Sequence, residues 1–189
     1  DRDIIRLEPA TPTRVNAEEK RTSYRIRYLA GGASSIPLGG GSCGLAWLST
    51  VIHHFPDLDQ AAREVHRVLA PGSAVLIRGA FPGREGGISL FRFFPEGSRV
   101  LERYPTVEAT RAAFEAARFT FETLGPVPQR SVASLAEFRA RVAHRETDTI
   151  LRGLSDAEHA AGLARLDAAV AAGEEGPVID SLDLMVFRR

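Results

Sequence analysis

Two adjacent histidines, His53 and His54, follow the apolar run Leu45-Ala46-Trp47-Leu48-Ser49 and precede Phe55-Pro56-Asp57. Imidazole titrates near neutrality, so either ring is a candidate general base. The alternative is packing of one ring beneath the next helix, with the other in solvent. Ser49 and Thr50 lack the G-x-S-x-G elbow of a serine nucleophile. Gly39-Gly40-Gly41 is not followed by the Lys-Ser/Thr of a phosphate-binding loop, so it reads as a turn. Cys43 is the only cysteine, which excludes an intrachain disulfide and a cysteine-cluster zinc site. No carboxylate cluster has ligand spacing, and no metal is expected. Phe81, Phe91, Phe93, Phe94 and Tyr104 crowd a stretch broken by Pro82, Gly86, Gly87 and Pro95. These aromatics either pack an insertion or line an apolar pocket. His66, His144 and His159 lie on helix faces and read as surface residues, and Trp47, mid-strand, reads as core.

The elements that must position these groups come from one globular chain of 189 residues, 44% hydrophobic and 25% charged. Lys+Arg and Asp+Glu are both 24, so the basic excess of a nucleic-acid binder or a polybasic membrane anchor is absent. No apolar run reaches the length of a membrane span, and the charged start carries no signal-peptide core. The expectation is a cytoplasmic protein; nothing bears on its oligomeric state. Asp1 is not an initiator Met and a strand begins almost at once, which leaves open whether residues precede Asp1.

Residues 3–8 read as a buried strand ended by Pro9, and 25–29 as a half-exposed strand. Residues 45–49 read as a central strand. Leu58, Ala61, Ala62, Val65, Val68 and Leu69 follow the helical period behind an Asp57 cap, until Pro71-Gly72. Residues 74–78 are the next strand, so 45–49 and 74–78 form a right-handed parallel crossover. Residues 80–105 read as a lid or insertion, and 107–117 as a helix. Residues 119–124 read as a strand near a sheet edge, ended by Pro126 and Pro128. The segment 126–173 is a helical insertion, with capping boxes at Ser134/Glu137 and Ser155/Glu158. Residues 178–187 close the chain as a strand. The fold class is α/β, a doubly wound and mainly parallel sheet in a single domain over 1–189. Ligands bind such sheets at the carboxyl ends of strands. That points at Glu8, the 30–35 loop, Ser49 to Phe55, and Arg78 to Phe81.

The stretch Gly41-Ser42-Cys43-Gly44-Leu45-Ala46-Trp47-Leu48-Ser49-Thr50-Val51-Ile52-His53-His54-Phe55-Pro56-Asp57, followed by Arg67-Val68-Leu69-Ala70-Pro71-Gly72-Ser73, resembles the fourth strand, His-His-Phe turn and fifth-strand entry of class I S-adenosylmethionine (AdoMet) methyltransferases acting on small molecules. The resemblance implies a Rossmann-like sheet with an antiparallel last strand. It implies Glu8 as ribose ligand, Gly32 and Ala33 beside the adenine, and Ser49 and Thr50 near the methionine ammonium. His53 or His54 would be catalytic. Arg78, Phe81, Phe91 and Phe94 would contact the acceptor.

The chain departs from the family in lacking its first strand and glycine-rich loop, in Gly32 where an Asp often stands, and in Gly44 where an Asp usually stands. Residues 3–8 are therefore expected to flank a gap or to pair directly with 45–49. The reading is methyl transfer from AdoMet to a small, mainly apolar metabolite, as in natural-product biosynthesis. The other reading is a protein of this fold that no longer uses AdoMet, a cyclase or isomerase or a non-catalytic binding module.

Overall fold

The computed structural model describes residues 3–189. Strand β1 (Ile4–Leu7) and helix α1 (Thr11–Glu19) lead into β2 (Ile26–Leu29), and β1 and β2 pair in parallel. Strand β3 (Cys43–Ser49), helix α2 (Leu58–Val68) and strand β4 (Leu69–Gly79) form the expected parallel crossover. The cap is as read: the Asp57 carboxylate accepts from the Gln60 amide at 2.8 Å. Helix α3 (Ser89–Phe93), a 3-10 stretch at Pro95–Arg103 and helix α4 (Val107–Ala116) follow. Then come strand β5 (Thr120–Val132), helices α5 (Leu135–Val142), α6 (Thr149–Arg152) and α7 (Asp156–Ala171), and strand β6 (Val178–Arg188).

The main sheet has the order β3-β4-β6-β5, with β6 antiparallel to both neighbours. The pair β1-β2 is a separate sheet, and no strand lies between β1 and β3 among the described residues. Of the two expected outcomes for that place, the gap is the one found. Leu7 still packs on the core of the larger sheet, as do Leu38 and Leu48.

Alternation gives the four-stranded sheet two faces. Register puts Val75 and Ile77 beside Phe187 and Met185, all fully buried beneath α2 and α4. The other face carries Leu45, Trp47, Leu76, Leu184 and Val186, and here Leu45 and Trp47 are 55% and 54% exposed. Strand β3 is thus an edge and not a central strand, and Trp47 is not core. Strand β1 is half-exposed where a buried strand was expected.

Two further differences have simple causes. Strand β5 runs through Pro126 and Pro128 instead of ending there. It is the outer strand, where a proline's missing donor can face solvent. His159 is buried, its Nε2 2.9 Å from the Val142 carbonyl, because α7 lies against α5 and its ring stacks on Phe94. A second core, with Phe93, Phe94, Leu135, Phe138, Leu151 and Leu166, unites α3 with α5–α7.

Candidate active site

Glu8 follows β1 and extends the ladder, its amide donating to the Leu29 carbonyl at 3.1 Å. Its Oε1 accepts from the Ala10 amide at 2.9 Å, and Arg14 Nη1 donates to its carbonyl at 3.1 Å. The half-buried carboxylate is thereby oriented by one oxygen, while the other has no hydrogen bond among the described residues. After β2 the chain turns tightly, the Ser35 amide donating to the Gly32 carbonyl at 3.2 Å. A Cβ on Gly32 would meet nothing within 4 Å, whereas on Gly31 it would sit 2.7 Å from Pro37 Cδ. The glycine this turn requires is therefore Gly31.

Helix α2 holds the loop beyond that turn. Gln60 Nε2 donates to the Ser34 carbonyl at 3.3 Å, the Ile36 amide donates to Glu64 at 2.9 Å, and Arg67 donates to the Ile36 and Leu38 carbonyls at 2.7 Å each. The hydrogen bond from Arg67 holds the Glu64 carboxyl below the usual carboxylate range. Sequence reasoning gave these three residues no part in holding the loop. Their signal was a spacing of i, i+4, i+7 along one helix edge, which reads by default as a solvated face.

At the end of β3, Thr50 adopts φ 52°, a left-handed conformation costly for a β-branched residue. It is held by its amide donating to the Arg78 carbonyl at 2.7 Å and its hydroxyl donating to the Ser49 carbonyl at 2.8 Å. The chain then makes a 3-10 turn, Ile52–His54, anchored by buried Ile52. The His53 ring stacks parallel on Tyr104 at 4.0 Å, and the His54 ring lies 4.0 Å away, tilted 52°. Partial burial and, secondarily, the neighbouring His54 push the His53 pKa down to about 4. His53 is neutral at physiological pH, and a base with so acidic a conjugate acid is a weak proton acceptor. His54 is exposed.

Arg78, next to last in β4, has its Nη1 3.4 Å from Ser49 Oγ, and so joins the ends of β3 and β4. It lines a cavity of about 290 Å³ with Gln129 and Ser131 of β5, Asp180 of β6 and Arg141 of α5, over Ile88 and Leu182. The expected aromatic wall is not there. Phe81 and Phe94 are completely buried and Phe91 nearly so, and none lines this cavity. Phe81 belongs to the sheet core, and Phe94 packs against Gly162, where a Cβ would come 2.1 Å from its ring. The stretch after β4 is therefore packed structure around its phenylalanines, which do not form a lid.

Residues 2–77 match the family model of the methyltransferase domain. No curated protein matches the chain. Among solved structures, a protein assigned as an antibiotic-pathway methyltransferase from Anabaena variabilis superposes with TM-score 0.68 at 15% identity, covering 96% of this chain and 80% of its own. The [4+2]-cyclase SpnF gives 0.60 at 20% identity, covering 100% and 66%. A protein assigned as a sarcosine dimethylglycine methyltransferase from Galdieria sulphuraria gives 0.59 at 18%, covering 98% and 69%. Identities this low speak for the fold. Together with the strand order and the antiparallel β6, they give this chain a class I methyltransferase-like fold, in which residues 2–77 match the methyltransferase domain model.

Proposed function

We propose that the protein transfers a methyl group from AdoMet to a small molecule. The observation that carries this reading is Glu8, an oriented carboxylate with one uncommitted oxygen, placed one residue beyond Leu7 on the core that also holds Leu48. The residues present fit the nucleoside half of AdoMet. Glu8 would accept from the ribose hydroxyls, and the backbone at Gly32 and Ala33 would approach the adenine, where Gly32 leaves open space. The Ser49 carbonyl, beside strained Thr50, would meet the ammonium. Bound AdoMet supplies an electrophilic methyl on its sulfonium. The protein's part is proximity and orientation, with a proton acceptor where the nucleophile needs one. The depressed pKa of His53 moves that duty to His54, with His53 and Tyr104 setting the turn's position.

Calorimetric titration of AdoMet tests the reading. Saturable binding is expected, weakened about tenfold to a hundredfold in Glu8→Gln, since a bond to a charged acceptor is worth roughly 1.5–3 kcal/mol. Absence of binding supports the second reading, a cyclase or isomerase without AdoMet. Gly32 and Gly44, both lacking the carboxylate usual in the family, favour that reading, and the fold is shared with a [4+2]-cyclase.

A further inference from the structure

We infer that the cavity between Arg78 and Arg141 binds the carboxylate of a small monoanionic substrate. Each guanidinium is oriented by a neutral acceptor on β5: Arg78 Nη2 donates to Gln129 Oε1, and Arg141 Nη1 donates to Ser131 Oγ at 2.9 Å. Gln129 and Ser131 are two positions apart, with a β-bulge between Arg130 and Val132 that leaves Ser131 unpaired. Bulges re-aim side chains beside sites. Two positions of strand span roughly 7 Å, so the two acceptors hold the guanidiniums over one short stretch of β5.

Neutral acceptors fix geometry and leave charge unbalanced. Neither Arg78 nor Arg141 is ion-paired among the described residues. Arginines close to them in sequence are: Arg84 grips Asp183 through two bonds of 2.6 and 2.8 Å, and Arg139 grips Asp167 at 2.7 Å. The one carboxylate lining the cavity, Asp180, accepts from the Ser89 amide at 2.7 Å. Two guanidiniums against one carboxylate leave a single positive charge, which matches a monoanion and not a doubly charged phosphate. Guanidinium donors suit carboxylate oxygens, and Ile88 and Leu182 offer a small apolar contact for the carbon next to that group. Arg78 also reaches Ser49 at 3.4 Å, so a carboxylate held here lies beside the strand ends assigned to the methyl donor.

That this carboxylate belongs to the methyl acceptor rests on the methyl-transfer reading; the binding itself needs no AdoMet. The test is NMR on the full chain, following the arginine Nε–Hε signals while a panel of small monocarboxylates, their methyl esters and inorganic phosphate is titrated. Expected are saturable shifts of the Arg78 and Arg141 signals with a carboxylate and none with its ester. Arg78→Gln and Arg141→Gln should each weaken binding about tenfold to a hundredfold. Arg141→Lys, which keeps the charge, should retain part of the affinity and guards against misfolding as the cause. No carboxylate-dependent shift, equal shifts with the ester, or tighter binding of phosphate than of every carboxylate overturns the assignment. A parallel AdoMet titration separates failure here from failure of the methyl-transfer reading.

Discussion

The two faces of the four-stranded sheet are made of alternating residues from the same strands, yet they are finished differently. One is closed by α2 and α4, with Val75, Ile77, Met185 and Phe187 fully buried. The other leaves Leu45 and Trp47 more than half exposed, and its row continues through Leu184 and Arg78 to Leu182, Asp180 and Gln129. Sheets of this class ordinarily bury both faces. Here packing energy is concentrated on one face, and the side chains able to meet a charged ligand on the other.

The largest expected effect breaks or confirms that contrast directly. Phe187→Ala should cost about 3–5 kcal/mol in denaturant unfolding, as truncation of a core phenylalanine does, and Phe94→Ala should cost a similar amount. Trp47→Ala on the open face should change stability by no more than about 1 kcal/mol. Equal losses at Phe187 and Trp47 would erase the distinction.

The next effect depends on pH. His53 binds its proton less readily folded than unfolded, so the unfolded chain holds more protons between the ordinary histidine value and about 4. Stability contributed by neutral His53 is complete above that window and declines as pH falls through it. Thermal melts from pH 7 to 4 should show the decline, and His53→Phe, which keeps a ring against Tyr104, should flatten it. An unchanged profile in the variant would remove His53 as its source.

A smaller effect concerns how far the closed face extends its order. Glu64 is held below the usual carboxylate range, so its grip on the Ile36 amide persists above that range and is lost as pH falls through the depressed value. Hydrogen exchange at Ile36 should accelerate on acidification, and Glu64→Gln should exchange faster already at neutral pH. The smallest effect is Thr50→Gly. Relief of the left-handed strain, offset by glycine's added chain entropy, should stabilise by about 1 kcal/mol. Destabilisation would mean that the Thr50 hydroxyl outweighs the strain.

Much of the fold was legible because its signals are local. The Asp57 cap, the apolar period of α2 and the run at 74–78 specify a crossover without any distant partner. Trp47 and the β1 strand were misjudged because an apolar run records what a strand could bury, while its actual burial depends on neighbours elsewhere in the chain. The phenylalanines between Phe81 and Phe94 had the composition of a wall, and a glycine 68 residues later, Gly162, decides that Phe94 is core. Arg78 was legible from its strand end. Its partner Arg141 was not, since only the β5–β6 ribbon and α5 bring them to one cavity.

The prolines of β5 have a consequence for behaviour in concentrated solution. An outer strand normally offers a row of amide donors to any passing strand, which is how sheets join edge to edge into aggregates. The ladder with β6 continues through Pro126 and Pro128, two residues apart, each paired in register yet unable to donate. The β5 border therefore cannot template a regular hydrogen-bonded row, and growth of ordered fibrils from that side is blocked by two rings.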